Sequence, residues 1–211
     1  MKDSFDIDNP FFAFMGGLAD IVIVNLLFLV CSIPVVTIGA SISAMYQTIG
    51  QLREGGVSSV CRAFMGAFKS SFKKSVPAWL LQLITGIILI FDLFFVGMMP
   101  KAAAWSLIGM VTGGMALLWL FLTCYLIPAG IYDGRKLKEA LPRSLYLAVR
   151  NLPYTAVMAL LNSIPIVCIF LGTYFIGVVT PIYLLAGFGI TAYFNTMLLE
   201  KCRDLHIAVS E

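Results

Sequence analysis

Long apolar runs separated by short polar linkers dominate the chain. Between Leu152 and Leu199 there is no Asp, Glu, Lys or Arg, and one helix of that length would rise about 70 Å against a hydrocarbon thickness of about 30 Å. The run therefore crosses a bilayer twice. "GTYFIGVVTP", Gly172 to Pro181, carries two glycines and a proline and marks the turn. Upstream, Val76 to Met99 and Ala102 to Tyr132 are each long enough to span, and only Pro100 and Lys101 part them. That spacing predicts a tight hairpin.

The first apolar region is harder to divide. The uncharged stretch between Asp20 and Arg53 would measure about 48 Å as a straight helix, long for one crossing and short for two separate ones. "DNP" at Asp8 to Pro10 supplies a cap followed by proline at the first helical position, so a helix is expected from Pro10 to Ser32. "SIPVVTIG" is then a bend, and Ala40 to Leu52 returns as a helix whose small residues Ala40, Ser43 and Ala44 allow close packing. Two helices are favoured here. The alternative is a single crossing.

The linkers carry the basic residues. Gln51 to Ser75 holds Arg53, Arg62, Lys69, Lys73 and Lys74, and Asp133 to Asn151 holds Arg135, Lys136, Lys138, Arg143 and Arg150. Lysine and arginine in short loops mark the cytoplasmic side, which places both linkers and both termini there. Each linker also has helical periodicity. Val60, Phe64, Phe68 and Phe72 recur at every fourth position, and Leu137, Leu141, Leu145, Ala148 and Leu152 form a series facing away from Lys136, Arg143 and Arg150. Each linker runs into a proline, Pro77 or Pro153, that opens the next span. A weak internal duplication would explain that pattern, as would the ordinary form of any loop between two hairpins.

The expected fold is all-α, a polytopic transmembrane bundle of about six helices in three hairpins, with five spans as the alternative. The spans are about 10–32, 36–52, 76–99, 103–131, 152–172 and 178–199, with cytoplasmic amphipathic segments at 58–75 and 134–151. Composition agrees with a cell-membrane location, since 60% of the 211 residues are hydrophobic and 12% charged, whereas soluble domains carry about 25% charged residues. The N-terminal "MKDSFDIDNPFF" lacks the basic region and cleavage site of a secretory signal. A net charge of +3 in scattered blocks does not indicate nucleic acid.

Cys31, Cys61, Cys124, Cys168 and Cys202 are widely spaced, with His206 the only imidazole. They support neither a disulfide framework nor a metal site. The sequence holds no GxSxG, HExxH, Walker A or GxGxxG. No enzymatic activity and no cofactor are expected.

"NP" at Asn9–Pro10, "NLLFLVCSIPVVTIGA" at Asn25 to Ala40 and "RNLP" at Arg150 to Pro153 resemble the YesL-type family of bacterial integral membrane proteins. The similarity covers nearly the whole chain and is most specific around "SIP" and "TIGA". Such proteins occur chiefly in Gram-positive bacteria, often encoded beside sugar ABC transporters and polysaccharide-degradation genes. The resemblance implies an accessory or assembly role in carbohydrate uptake, with an ABC permease or ATPase as partner and no catalytic motif.

Polar residues inside apolar runs are the candidates for function. Asp20 and Asp92 are intramembrane carboxylates, which are costly in hydrocarbon and commonly face a bundle interior or water. A small secondary transporter or channel with both lining one path is the alternative function. Asn25, Gln82, Asn162, Ser163 and Asn195 are expected to hydrogen-bond between helices. Arg62, Lys69, Lys73, Arg143 and Arg150 are candidates for docking a cytoplasmic partner, besides setting topology or meeting anionic lipid headgroups.

Overall fold

The structure, a computed structural model, describes residues 10–55, 57–98, 103–131, 137–170 and 173–210, and among these it is helical without strands. Helix α1 runs Pro10–Cys31, and a 3-10 turn at Val35–Thr37 leads into α2, Ile38–Arg53. The bend between them is built by "SIPVVT". Pro34 adopts an extended conformation (φ −76°, ψ 120°) and disfavours helical geometry at the residue before it. A helix end in an apolar setting leaves carbonyls unpaired. The Thr37 hydroxyl lies within hydrogen-bond distance of two of them, the carbonyls of Cys31 at 2.6 Å and Pro34 at 2.7 Å. Trp79 then ties the bend to the next helix by donating its indole N–H to the Val35 carbonyl at 2.8 Å.

Helix α2 is the innermost element. Gly39, Ala40, Ser41, Ser43, Ala44, Thr48 and Gly50 are all buried, and α2 packs on α1, α3 (Val60–Met98), α8 (Phe188–Ser210) and a π-helical turn at Leu126–Ile131. A helix wrapped by its neighbours needs no lipophilic surface, so small and hydroxylated residues suffice. Four segments are long and apolar enough to cross a membrane: Phe14–Cys31, Val60–Met98, Leu107–Pro128 and Val179–Cys202. On those four helices much of the exposed surface is apolar, with Phe14, Val30, Ile90, Phe91, Met110 and Leu185 all outward.

Three features differ from the sequence-based expectation. Pro77 opens no new helix. It lies inside α3, which continues for 39 residues. The proline forfeits one backbone bond, but it is itself exposed while Ser75 and Ala78 on either side are buried, and packing against α2 holds the helix through the defect. At about 58 Å, α3 is roughly twice the hydrocarbon thickness, so its Lys-rich first part projects beyond the apolar part.

The second difference lies in the C-terminal region. Of the residues expected to turn at Gly172 to Pro181, Gly172 lies outside the described residues and Thr173 to Pro181 are helical: α6 spans Leu152–Phe170, α7 spans Thr173–Ile182, and a π-helical turn at Tyr183–Gly187 leads into α8. Pro181 is absorbed just before a wider turn, a common site for helix irregularity. Gly187 is required there, because a Cβ would come within 2.5 Å of the Tyr183 ring.

The third concerns α5, Leu137–Arg150, which follows α4 (Ala103–Tyr125) and the Leu126–Ile131 turn. Of the apolar series, Ala148 is buried, together with Ala140 and Ser144, whereas Leu141, Leu145 and Leu152 are exposed. Close approach to α4 admits only small side chains, and the leucines are displaced outward. Phe64 and Phe68 of the other periodic series do face the core, and Phe72 is exposed at its edge.

Candidate functional site

The polar side chains of the apolar helices converge in a set of interhelical bonds. At the centre, Asn195 of α8 donates through Nδ2 to the Tyr46 hydroxyl of α2 and to Oδ1 of Asn162 of α6, both at 3.0 Å. Asn162 in turn donates to Sγ of Cys124 on α4 at 3.7 Å. One chain of neutral groups therefore joins four helices. Asn195 is fully buried, and its Oδ1 has no partner among the described residues.

Asn25 performs a different task. Its Nδ2 donates to the Leu184 carbonyl at 2.7 Å, and its Oδ1 accepts from the Gly189 N–H at 2.9 Å. Those two backbone groups are five residues apart across the Tyr183–Gly187 turn, so one carboxamide bridges them. Gly189 leaves room for it, since a Cβ there would stand 2.9 Å from the Ile21 carbonyl.

Further bonds extend the network. Gln47 donates to Ser43 at 3.2 Å and to Ser71 at 2.7 Å, joining α2 to α3. Gln82 donates to Thr123, and the Trp119 indole donates to the Gln82 carbonyl and the Thr85 hydroxyl, joining α3 to α4. Tyr125 and Thr155 pair at 3.1 Å, and the Thr155 hydroxyl also lies 2.9 Å from the Ala148 carbonyl. Ser163 turns back on its own helix, to the Ala159 carbonyl. At the end of α2, Arg53 bonds Glu200 of α8 at 2.7 Å and lies 5.0 Å over the Tyr193 ring.

The carboxylates are not gathered. Asp20 is half-buried on α1, and Asp92 is exposed on the far part of α3 beside Ile90, Phe91 and Phe94. Neither is bonded to a described residue. Arg62, Lys69 and Lys73 are exposed along α3, Arg143 is half-buried, and Arg150 is exposed with its guanidinium on the hydroxyl and ring of Tyr146. Among the described residues no three His, Cys, Asp or Glu side chains gather to hold a metal. Cys124 faces a carboxamide, which cannot take its proton as a general base would.

Sequence reasoning passed over Tyr46, Gln47, Ser71, Thr155 and the Arg53–Glu200 pair. Only Gln47 carried a signal, an amide among small residues one helical turn beyond Ser43. The other partners are distant in sequence and individually ordinary.

An all-helical bundle, lipophilic outside and bonded inside by uncharged polar groups, is the architecture of a multi-pass membrane protein. The chain is similar to a protein family described as "Protein of unknown function, DUF624" over residues 21–93. The matched stretch runs from the middle of α1, through the bend and α2, to the exposed end of α3. No curated protein and no solved structure matches the chain.

Proposed function

We propose that this chain is a non-enzymatic, multi-pass accessory or assembly component of a bacterial carbohydrate uptake system of the ABC type. The carbohydrate part of this reading rests on the YesL-type resemblance. The observation that supports docking is a stripe on the projecting part of α3. Arg62, Met65, Lys69 and Lys73 are all exposed, and their spacing of three or four residues puts them on one face about 16 Å long. The amides of Asn25, Gln82, Asn162 and Asn195 each bond another helix or the turn before α8, and Asp92 faces outward, so a solute path through the carboxylates gains no support.

Cross-linking in native membranes followed by affinity capture should recover a permease or ATPase subunit of such a system. The triple substitution R62E/K69E/K73E should reduce the recovery at least fivefold. Solute transport by the purified protein alone in liposomes, with no transporter subunit captured, would reject the proposal.

In this reading the chain crosses six times in three hairpins, with α2 as an enclosed crossing and both termini cytoplasmic. Cys61 is exposed beside Arg62, whereas Cys124 and Cys202 are buried. A membrane-impermeant maleimide should modify Cys61 in inside-out vesicles at least tenfold faster than in intact cells. The opposite preference would invert the topology.

A further inference from the structure

Helix α5 has three distinct faces. Ala140, Ser144 and Ala148 point inward and are fully buried; Leu141, Leu145 and Val149 are 38%, 43% and 52% exposed. Glu139, Arg143 and Arg150 occupy the remaining side, and the exposed Lys138, in the first turn, falls on the leucine flank, where its long stem can carry the charge towards headgroups. At 100° per residue the leucine flank and the basic flank are centred roughly 140° apart, and the bundle contact on the opposite side is centred about 100° from the first and about 120° from the second.

The axis of α5 runs across the bundle. Ala140 shares a buried cluster with Ala78 of α3 and with Leu126, whereas Ala148 shares one with Tyr125 and with Met158 of α6. Those contacts are about 12 Å apart along α5, so the helix passes from α3 to α6 under the end of α4. Its depth is marked on α3. The exposed lysines end at Lys73 and Lys74, and from Leu81 onward the exposed large side chains of α3 are apolar apart from Asp92. Ala78, the contact point of α5, sits between the two.

We propose that α5 lies in the plane of the membrane interface as an anionic-phospholipid site, with Leu141, Leu145 and Val149 entering the acyl region and Arg143 and Arg150 meeting lipid phosphates. A transverse helix at the water–hydrocarbon boundary has one flank towards acyl chains and the other towards headgroups, and α5 carries the matching residues on each. Tyr146 helps to place the charge, since the Arg150 guanidinium stands 5.7 Å over its ring. The site is independent of the docking stripe, which lies on the projecting part of α3.

The test uses the full chain in nanodiscs of equal phosphatidylglycerol and phosphatidylcholine, with p-benzoylphenylalanine replacing Leu145 and intact mass reporting photo-adducts. Lipid adducts should form with phosphatidylglycerol at least threefold over phosphatidylcholine. The same probe replacing Glu139 should yield severalfold fewer. R143E/R150E should abolish the preference while leaving the adduct yield at position 145 unchanged, and Arg150→Gln, at an exposed position that folding tolerates, should reduce the preference by about half. Equal capture of the two lipids by the parent protein would overturn the proposal. So would scarce lipid adducts at position 145 with cross-linking to a protein in native membranes, which would assign the leucine flank to a protein partner.

Discussion

Replacing Asn25 with leucine should destabilise the bundle by about 2–5 kcal/mol, the cost of leaving a part-buried carbonyl and a buried N–H without their bridging amide. The two orphaned groups are the Leu184 carbonyl and the Gly189 N–H, and neither has water to turn to at that depth. Leucine keeps the branching and heavy-atom count of asparagine, but its methyl groups are bulkier than the amide oxygen and nitrogen, so some overpacking adds to the lost hydrogen bonds. Two measurements check it. The unfolding midpoint in detergent should fall, and amide exchange at Gly189 should accelerate, while Ile23→Leu, an exposed position two residues away, should leave both unchanged. An unaltered exchange rate at Gly189 in Asn25→Leu would show that the π-helical turn does not depend on the bridge. The bond also links α1 to the α7–α8 junction, so its loss should loosen the closure between the two ends of the chain.

Asn25, Asn162 and Asn195 stand out in the sequence because an amide in an apolar run must find a partner other than water. What each one bonds is not visible there. Asn195 reaches Tyr46 across 149 positions and Asn162 across 33, and nothing in the local pattern distinguishes Tyr46 from the other tyrosines of the chain. The bend after Cys31 was legible because proline removes a donor and restricts the residue before it, both local effects. Prolines at positions 77 and 181 carry the same local signal, yet the helix continues through both. At Pro77 the buried Ser75 and Ala78 hold the helix together, and at Pro181 the helix widens into the π-helical turn Tyr183–Gly187.

The faces of α5 show a related limit. Periodicity identified an amphipathic helix and set the leucines away from Arg143 and Arg150, but the bundle contact is made by Ala140, Ser144 and Ala148, of which only Ala148 belongs to that series. At a membrane boundary there are two apolar environments, the bundle and the lipid, and hydrophobicity alone does not say which one a side chain enters. Asp20 and Asp92 were candidates through their cost in hydrocarbon. Their separate positions could not be read from the chain.

The glycine of "TIGA" should be the least replaceable position in the bend. A Cβ at Gly39 would stand 2.4 Å from the Trp79 Cβ and 2.9 Å from the Ser75 carbonyl oxygen. One of those atoms is backbone and the other is bonded directly to it, so rotamer changes give no relief and α2 must move away from α3. Gly39→Ala should therefore cost about 1–3 kcal/mol, and a larger side chain more. The Trp79 indole would also be drawn off the Val35 carbonyl, so its fluorescence should shift as the bend loosens. Gly66→Ala on α3 is the matched control: nothing lies within 4 Å of its Cβ position, and alanine should stabilise that helix by about 0.5–1 kcal/mol. Two glycine-to-alanine changes in one protein are thus expected to have opposite signs. If Gly39→Ala instead raised the unfolding midpoint alongside Gly66→Ala, α2 and α3 would not cross at the distance described. "TIGA" would then need another reason for its composition than capping by Thr37, contact at Gly39 and full burial of Ala40.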